Sequence, residues 1–287
     1  MKILITGHKG FVGKYFLEKY AECEIVGIDI KDGNDCRDFF KVDDTKDFDL
    51  LIHLAAIVGG RETIDNNPLS VAIDLSIDSE MSQWALRNKP KKIVYFSSSA
   101  AYPICLQKNQ YRLKETDINL DAIQNPDMTY GWSKLTGEYL MKFLETENIE
   151  TYVFRPFSGY GTDQDLDYPF PSYIKRAVLK NNPFDIWGDG NQIRDFIHIR
   201  DVVDAVDLAI REGLTGTVNL GSGKATSFNE LFELVTSIAG YEAKPNHIKQ
   251  APVGVQYRVC DPTKMLTFFQ PKISLEQGIK MALKGIR

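Results

Sequence analysis

The feature that most constrains this chain is its first turn. The apolar run Lys2-Ile3-Leu4-Ile5-Thr6 passes directly into Gly7-His8-Lys9-Gly10-Phe11-Val12-Gly13, and a helical pattern over Phe11–Tyr20 comes next. A buried strand that becomes a helix through three glycines lets backbone approach closely, either to its own neighbours or to a bound group. The next apolar run, Glu24–Asp29, ends on an acid about 20 residues beyond the glycines. Together these predict a βαβ unit that seats a pyrophosphate on the helix amino terminus, with Asp29 accepting from both hydroxyls of an adenosine ribose. The same carboxylate would repel a 2′-phosphate, so NAD is expected rather than NADP.

The rest of the first half continues that rhythm. Leu50–Ala55, Lys92–Ser98 and Thr151–Arg155 read as buried strands, several with β-branched residues. Leu69–Arg87 and Tyr130–Glu147 read as helices between them. Such alternation predicts an α/β fold built on a Rossmann-type, doubly wound parallel sheet. From Pro156 the pattern breaks into Pro, Gly, Tyr and Asp, and the elements become shorter: helices at Ser172–Lys180, Arg200–Glu212 and Ser227–Ala239, and a strand at Thr217–Leu220. The expected organisation is an NAD-binding Rossmann domain over 1–155, rejoined by segments from about 190–225, and a smaller α/β substrate-binding lobe mainly over 156–287.

Composition excludes several classes of function. The chain has 287 residues, 43% hydrophobic and 25% charged, as in ordinary globular proteins. A net charge of −5 gives no basic footprint for nucleic acid. No apolar run approaches the ~20 residues of a membrane span, and the amino terminus lacks the apolar core of a signal peptide. Cys23, Cys36, Cys105 and Cys260 are scattered, which fits free thiols in the cytoplasm and argues against a zinc site. No metal is expected.

Chemistry enters with Tyr130-Gly131-Trp132-Ser133-Lys134. Four residues apart on a helix, the phenol and the ammonium share one face. A nearby cation favours phenolate, but moving a phenol from about 10 to near 7 takes roughly 4 kcal/mol. One lysine rarely supplies that, and an oxidised nicotinamide would serve as the second cation. Upstream, Tyr95-Phe96-Ser97-Ser98-Ser99-Ala100-Ala101-Tyr102-Pro103 offers hydroxyl donors.

The spacing Gly7-x-x-Gly10-x-x-Gly13 resembles the extended short-chain dehydrogenase/reductase superfamily, in its nucleotide-sugar epimerase/dehydratase branch. His53-Leu54-Ala55-Ala56 is similar to that family's segment beside the cofactor, and Asp35-Cys36-Arg37 to its adenine-contact turn. Tyr130-x-x-x-Lys134 matches its catalytic pair, and Arg155-Pro156-Phe157 the segment behind the nicotinamide. The resemblance implies cofactor contacts at Gly7, Gly10, Phe11, Val12, Gly13, Asp29, Asp35, Cys36, Leu54, Ala55, Ala56, Tyr130, Lys134 and Pro156. Its third catalytic group lies four residues before a tyrosine; counting back from Tyr102 gives Ser98, with Ser99 as the near rival for the catalytic hydroxyl or a substrate contact.

The carboxy-terminal half resembles the same branch. Trp187-Gly188-Asp189-Gly190-Asn191-Gln192-Ile193-Arg194-Asp195-Phe196 is similar to its G-x-G-x-Q-x-R-D-F segment, in which the arginine binds the substrate diphosphate; Arg258 resembles the second such arginine. A guanidinium suits that task because it grips phosphate oxygens bidentately. Tyr168, Tyr173 and Trp187 are candidates to stack on sugar or base, or to pack in a core.

Members of the branch share hydride transfer between sugar and NAD and differ in the later steps. The 4,6-dehydratases and decarboxylases carry an acid just after the catalytic hydroxyl, where this chain has Ser99, Ala100 and Ala101. The segments 53–60, 98–103 and 187–196 look most like GDP-mannose 3,5-epimerase and GDP-fucose synthase. Those enzymes use a Cys where this chain has Ala100, and a Lys or His at Tyr168. Ser158 stands where the family often has a substrate-contacting Asn. The minimal set Ser98, Tyr130 and Lys134 is what C4 epimerisation of a nucleotide-diphosphate sugar requires. The alternatives are a 4-keto-sugar reductase or 3,5-epimerase on a GDP- or dTDP-sugar, and a non-catalytic NAD-binding sensor. A homodimer through two helices per subunit is implied by the resemblance.

Overall fold

Six parallel strands form the main sheet of the computed structural model, which describes residues 1–59, 61–108 and 110–285. Gly60, the last residue of the 53–60 comparison, lies outside the described residues. From one edge to the other the strands are Gly216–Leu220, Glu150–Pro156, Lys92–Phe96, Leu50–His53, Lys2–Thr6 and Glu24–Ile28. Chain order reverses at the first strand, which pairs with the second on one side and the third on the other. In open parallel sheets, ligands bind outside the strands' carboxyl ends at such a reversal. Here that point lies between Gly7 and the segment after His53.

The strands are apolar on both sides because helices cover both faces. Ile3, Ile5, Leu50, Ile52, Val94, Phe96, Tyr152 and Phe154 point to one face and pack with Phe16 and Tyr20, with Val202–Ile210 of the helix Ile199–Arg211, and with Met265 and Phe269. The intervening residues Leu4, Leu51, Ile93, Tyr95 and Val153 point to the other. They meet Phe40, Ile77, Met81, Trp84, Met141 and Leu144, from the helices Cys36–Val42, Val71–Asn88 and Met128–Glu145. The period of two along each strand thus fills two separate cores.

A third core lies apart from the sheet. Phe170, Tyr173, Ile174 and Ala177 of the helix Pro169–Val178 pack on Leu231, Phe232 and Val235 of the helix Phe228–Ala239, with Phe184, Ile186 and Phe196 beside them. Ile279 and Ala282 of the helix Leu275–Gly285 close it. Local signals set these boundaries: Pro169 opens one helix. Ser227 and Glu230 form a capping box, and Gly240 ends that helix in the left-handed region.

Several element ends differ from the sequence expectation. The third strand stops at His53 instead of Ala55, and the fourth at Phe96 instead of Ser98. Both segments leave the sheet there, after a last backbone bond from Leu54 to the Thr6 carbonyl and from Ser97 to the Phe154 carbonyl. The helix Val71–Asn88 starts two residues later than expected, after a 3-10 turn at Pro68–Ser70.

Candidate active site

One crevice of about 1210 Å³ runs along the carboxyl ends of the strands. Every residue expected from the sequence to serve catalysis, cofactor or substrate lines it, from Gly7 and Asp29 at one end, past Ser98, Ser99, Tyr130, Lys134 and Tyr168, to Arg194 and Arg258 at the other.

The cofactor end is set by close backbone packing. Gly7 has φ +72°, and a Cβ there would lie 3.0 Å from the Ala55 nitrogen and the Leu54 carbonyl carbon. A Cβ on Gly13 would come within 2.4 Å of the Gly7 oxygen. Glycine is therefore required for the first helix to sit on the turn. That helix, Phe11–Lys19, is preceded by Gly10 and has no side-chain cap, so its first amides are open to an anion. Asp29 is buried; its Oδ1 accepts from the Lys31 amide at 2.9 Å and its Oδ2 from the Lys9 amide at 2.8 Å. Each carboxylate oxygen has a further lone pair for a ribose hydroxyl. Asp35 caps the helix Cys36–Val42 and is held by Arg37, which keeps its carboxyl below the usual range. A glycine cradle with open helix amides and a partly satisfied carboxylate fits a dinucleotide.

The middle of the crevice is built by two segments that touch. After the fourth strand, Ser98 is extended and its Oγ accepts from the Ala100 amide at 3.1 Å, which starts a 3-10 turn over Ser99–Ala101. The Ala100 carbonyl accepts from the Asp127 amide at 2.9 Å. Asp127 is the residue before the helix Met128–Glu145, so Tyr130 and Lys134 sit in its first two turns. Met128 is left-handed, with φ 59°. That conformation costs a side-chain-bearing residue about 1–2 kcal/mol, and the anchorage of Asp127 holds it in place.

Lys134 is buried, with Nζ 5.1 Å from the Tyr95 ring centre and 5.6 Å from that of Tyr130. Tyr130 keeps part of its surface open to the crevice, yet burial raises its pKa well above the ordinary value, and Asp74 and Asp78 add to the rise. The fold thus raises the Tyr130 pKa where the nearby Lys134 would favour the phenolate, and a further cation bound beside it would favour that form more. Tyr168, which lines the same crevice, is pushed up in the same way, first by burial and then by Tyr130. Behind them, Asp78 accepts from Tyr95 at 2.7 Å and lies 3.2 Å from His53 Nε2, while His53 Nδ1 lies 2.9 Å from the Thr6 hydroxyl. This buried chain ties the ends of three strands to the helix Val71–Asn88.

In the segment expected behind the nicotinamide, Pro156 and Phe157 line the crevice, while Arg155 is turned away into a buried ion pair with Glu138 at 2.6 Å. Arg194 donates to the carbonyls of Ile193 and Val255, both at 2.8 Å, and lies over the Phe228 ring. Arg258 donates to Gln107 at 2.5 Å and is paired with Asp127. Sequence reasoning missed two residues here. Asp127, 1% exposed, and Arg61, which donates to both its oxygens at 3.2 Å, also line the crevice. Neither belongs to a motif, and 66 residues separate them.

Residues 3–221 match the family described as NAD dependent epimerase/dehydratase. The chain belongs to that family. Its cofactor is NAD, in keeping with the glycine cradle and Asp29. Among curated relatives, GDP-mannose 3,5-epimerase 1 of Oryza sativa subsp. indica is 28% identical, covering 100% of this chain and 82% of its own length. GDP-L-colitose synthase of Yersinia pseudotuberculosis is 26% identical, covering 97% and 96%. The structure of UDP-glucuronic acid 4-epimerase from Bacillus cereus, in complex with UDP-glucuronic acid and NAD, matches with a TM-score of 0.82 and 26% identity over 100% of this chain and 99% of that one. No helix among the described residues is long and apolar enough to cross a membrane.

Proposed function

We propose that this chain is an NAD-dependent epimerase that inverts C4 of a nucleotide-diphosphate sugar through a transient 4-keto sugar. The observation that carries the reading is the shared crevice: a dinucleotide cradle at one end, Tyr130, Lys134 and a serine turn in the middle, and paired arginines at the other. The positions after Ser98 and Ser99 hold the buried Ala100 and Ala101, so no acid stands there for dehydration or decarboxylation. The Bacillus cereus 4-epimerase, similar along its whole length, supports the same reading.

The roles follow from chemistry. NAD, when bound, supplies the hydride acceptor and donor for C4. Gly7, Gly10 and Gly13, with the amides of Phe11 and Val12, hold its pyrophosphate. Asp29 holds the adenosine ribose, Asp35 and Cys36 flank the adenine, and Leu54, Ala55, Ala56 and Pro156 form walls. Tyr130 takes and returns the proton of the C4 hydroxyl, Ser98 orients that oxygen, and Lys134 orients the tyrosine and the nicotinamide ribose. Arg194 and Arg258 grip the diphosphate. In this reading residues 1–155, with later segments near 190–225, bind NAD, and 156–287 mainly bind substrate.

A homodimer through the helices Val71–Asn88 and Met128–Glu145 accords with the exposure of Leu75, Leu86, Trp132, Tyr139 and Phe143 on them. Four unpaired cysteines suit the cytoplasm. A second reading, 3,5-epimerisation, is favoured by Tyr168, a second phenol lining the same crevice, and by the Oryza sativa relative. Incubation with UDP-, GDP-, CDP- and dTDP-sugars, with the products read by NMR and no cofactor added, tests the proposal. An isomerised product supports it; turnover only with added NAD(P)H would transfer the chain to the reductases.

A further inference from the structure

Arg61 and Asp127 stand in the crevice, and neither has a role in the mechanism proposed above. Asp127 is almost wholly buried, yet this one carboxylate holds two guanidiniums: Arg61 through Nη1 to both carboxylate oxygens, and Arg258 through Nη2. A third guanidinium faces the same space. The Cβ position of Gly254 lies 2.9 Å from Arg194 Nη2 and 3.4 Å from Arg61 Nη1, so those nitrogens are at most 6.3 Å apart (2.9 + 3.4). A side chain at 254 would fill the gap between them. All four charged residues and Gly254 line the crevice. Asp65, which meets Arg61 Nε at 3.3 Å, is nearly half exposed and is not part of the crevice wall.

Charge decides what this arrangement lacks. Three guanidiniums against Asp127 and the half-exposed Asp65 leave a net positive charge facing the crevice, and burying uncompensated charge is costly. The cost shows in Arg194, whose pKa is pressed below the ordinary guanidinium value by burial and by its neighbours Arg258 and Arg61. A phosphate accepting charge-assisted bonds of ~2.8 Å from two donors spans a gap of this size. The diphosphate of a sugar nucleotide carries the negative charge that offsets this excess.

We propose that Arg61 is a third diphosphate-binding guanidinium, and that Asp127 is a placeholder anion which keeps Arg61 and Arg258 aimed into the crevice until the diphosphate takes over part of their bonding. The proposal rests on the sugar-nucleotide reading of the crevice. It sets specificity for a diphosphate over a monophosphate. It also links substrate to catalysis, because Asp127 immediately precedes the helix that carries Tyr130 and bonds through its amide to the serine turn.

The test is calorimetric titration of the NAD-loaded protein with UDP and GDP, and with UMP and GMP, for the unaltered chain and for Arg61→Ala, Arg61→Gln and Asp127→Asn. The unaltered chain should prefer one diphosphate over its monophosphate. Arg61→Ala and Arg61→Gln should weaken that diphosphate at least tenfold while changing the monophosphate less than threefold. Asp127→Asn removes the competing anion and should tighten the diphosphate, a direction that mere loss of structure would not produce. Equal diphosphate affinity in the Arg61 variants overturns the proposal and leaves the sugar-nucleotide reading standing. Weaker diphosphate binding in Asp127→Asn, with NAD content and thermal midpoint unchanged, overturns the placeholder role. Failure of the unaltered chain to bind either diphosphate overturns both readings.

Discussion

Gly131 lies so close to Ala100 that a Cβ on it would stand 2.3 Å from the Ala100 carbonyl oxygen. The helix bearing Tyr130 and the turn bearing Ser98 and Ser99 are thereby held at a separation that leaves no room for a side chain at 131. Gly131→Ala must push them apart. Overpacking of this kind costs about 1–3 kcal/mol, so the denaturant midpoint should fall, and sugar turnover should fall further than the fraction unfolded explains. Unchanged kcat in the folded variant would contradict this.

The glycine cradle makes a separate prediction. In Gly13→Ala the added carbon meets the Gly7 oxygen at 2.4 Å, a backbone atom with no room to give. The variant should lose NAD, read as cofactor released on denaturing the purified protein, while the crevice beyond Tyr130 is undisturbed. Full NAD content in Gly13→Ala would refute the assignment of the cradle.

Between the two serines the geometry favours neither outright, since both line the crevice. The proposed mechanism assigns the C4 oxygen to Ser98, so Ser98→Ala should lower kcat on the order of 10²-fold or more, with Ser99→Ala much milder. The reverse order of effects would move the role to Ser99.

His198 makes stability depend on pH. It is buried, and its Nδ1 accepts from the Arg200 amide at 3.2 Å as the cap of the helix Ile199–Arg211. Burial, with Arg200 adding, lowers its pKa to about 4 from 6.5. The unfolded chain therefore binds more protons between these values. The contribution is complete above 6.5, shrinks as pH falls from 6.5 towards 4, and changes no further below that. Its size is on the order of 3 kcal/mol. His198→Asn keeps a capping acceptor but cannot titrate, so its stability should fall less than that of the unaltered chain over this window. Parallel curves for the two proteins would contradict the assignment.

Much of this fold was legible because each major strand and helix carries its own pattern. All five strands expected in the first half are present, as are the helices that cross between them. The helices Cys36–Val42 and Leu275–Gly285 are not among the expected elements, and much of the rest that escaped notice depends on distant partners. Ser158-Gly159-Tyr160 becomes a strand only by pairing with Phe196-Ile197-His198, and Tyr257–Cys260 by pairing with Ile193–Arg194 and Arg112–Leu113. These runs are too short to announce a period. The candidate site obeys the same rule: the glycine turn, Tyr130 and Lys134 are local motifs, whereas Arg61 and Asp127 meet only in the folded chain. Arg155 lies in a segment correctly placed beside the crevice, but its guanidinium finds a stronger partner in buried Glu138. The phenol of Tyr130 could not be judged from spacing either, because the burial and the two acids that raise its pKa come from the fold.

Inversion at C4 without loss of the carbon-bound hydrogens, the central claim, is tested most directly by running the reaction in D₂O and reading the product by NMR. Removal and return of hydrogen at C4 within the crevice predicts a product inverted at C4 that carries no deuterium on carbon. Deuterium at C3 or C5 would contradict that claim, and would make Tyr130 and Tyr168 the acid and base of a 3,5-epimerase.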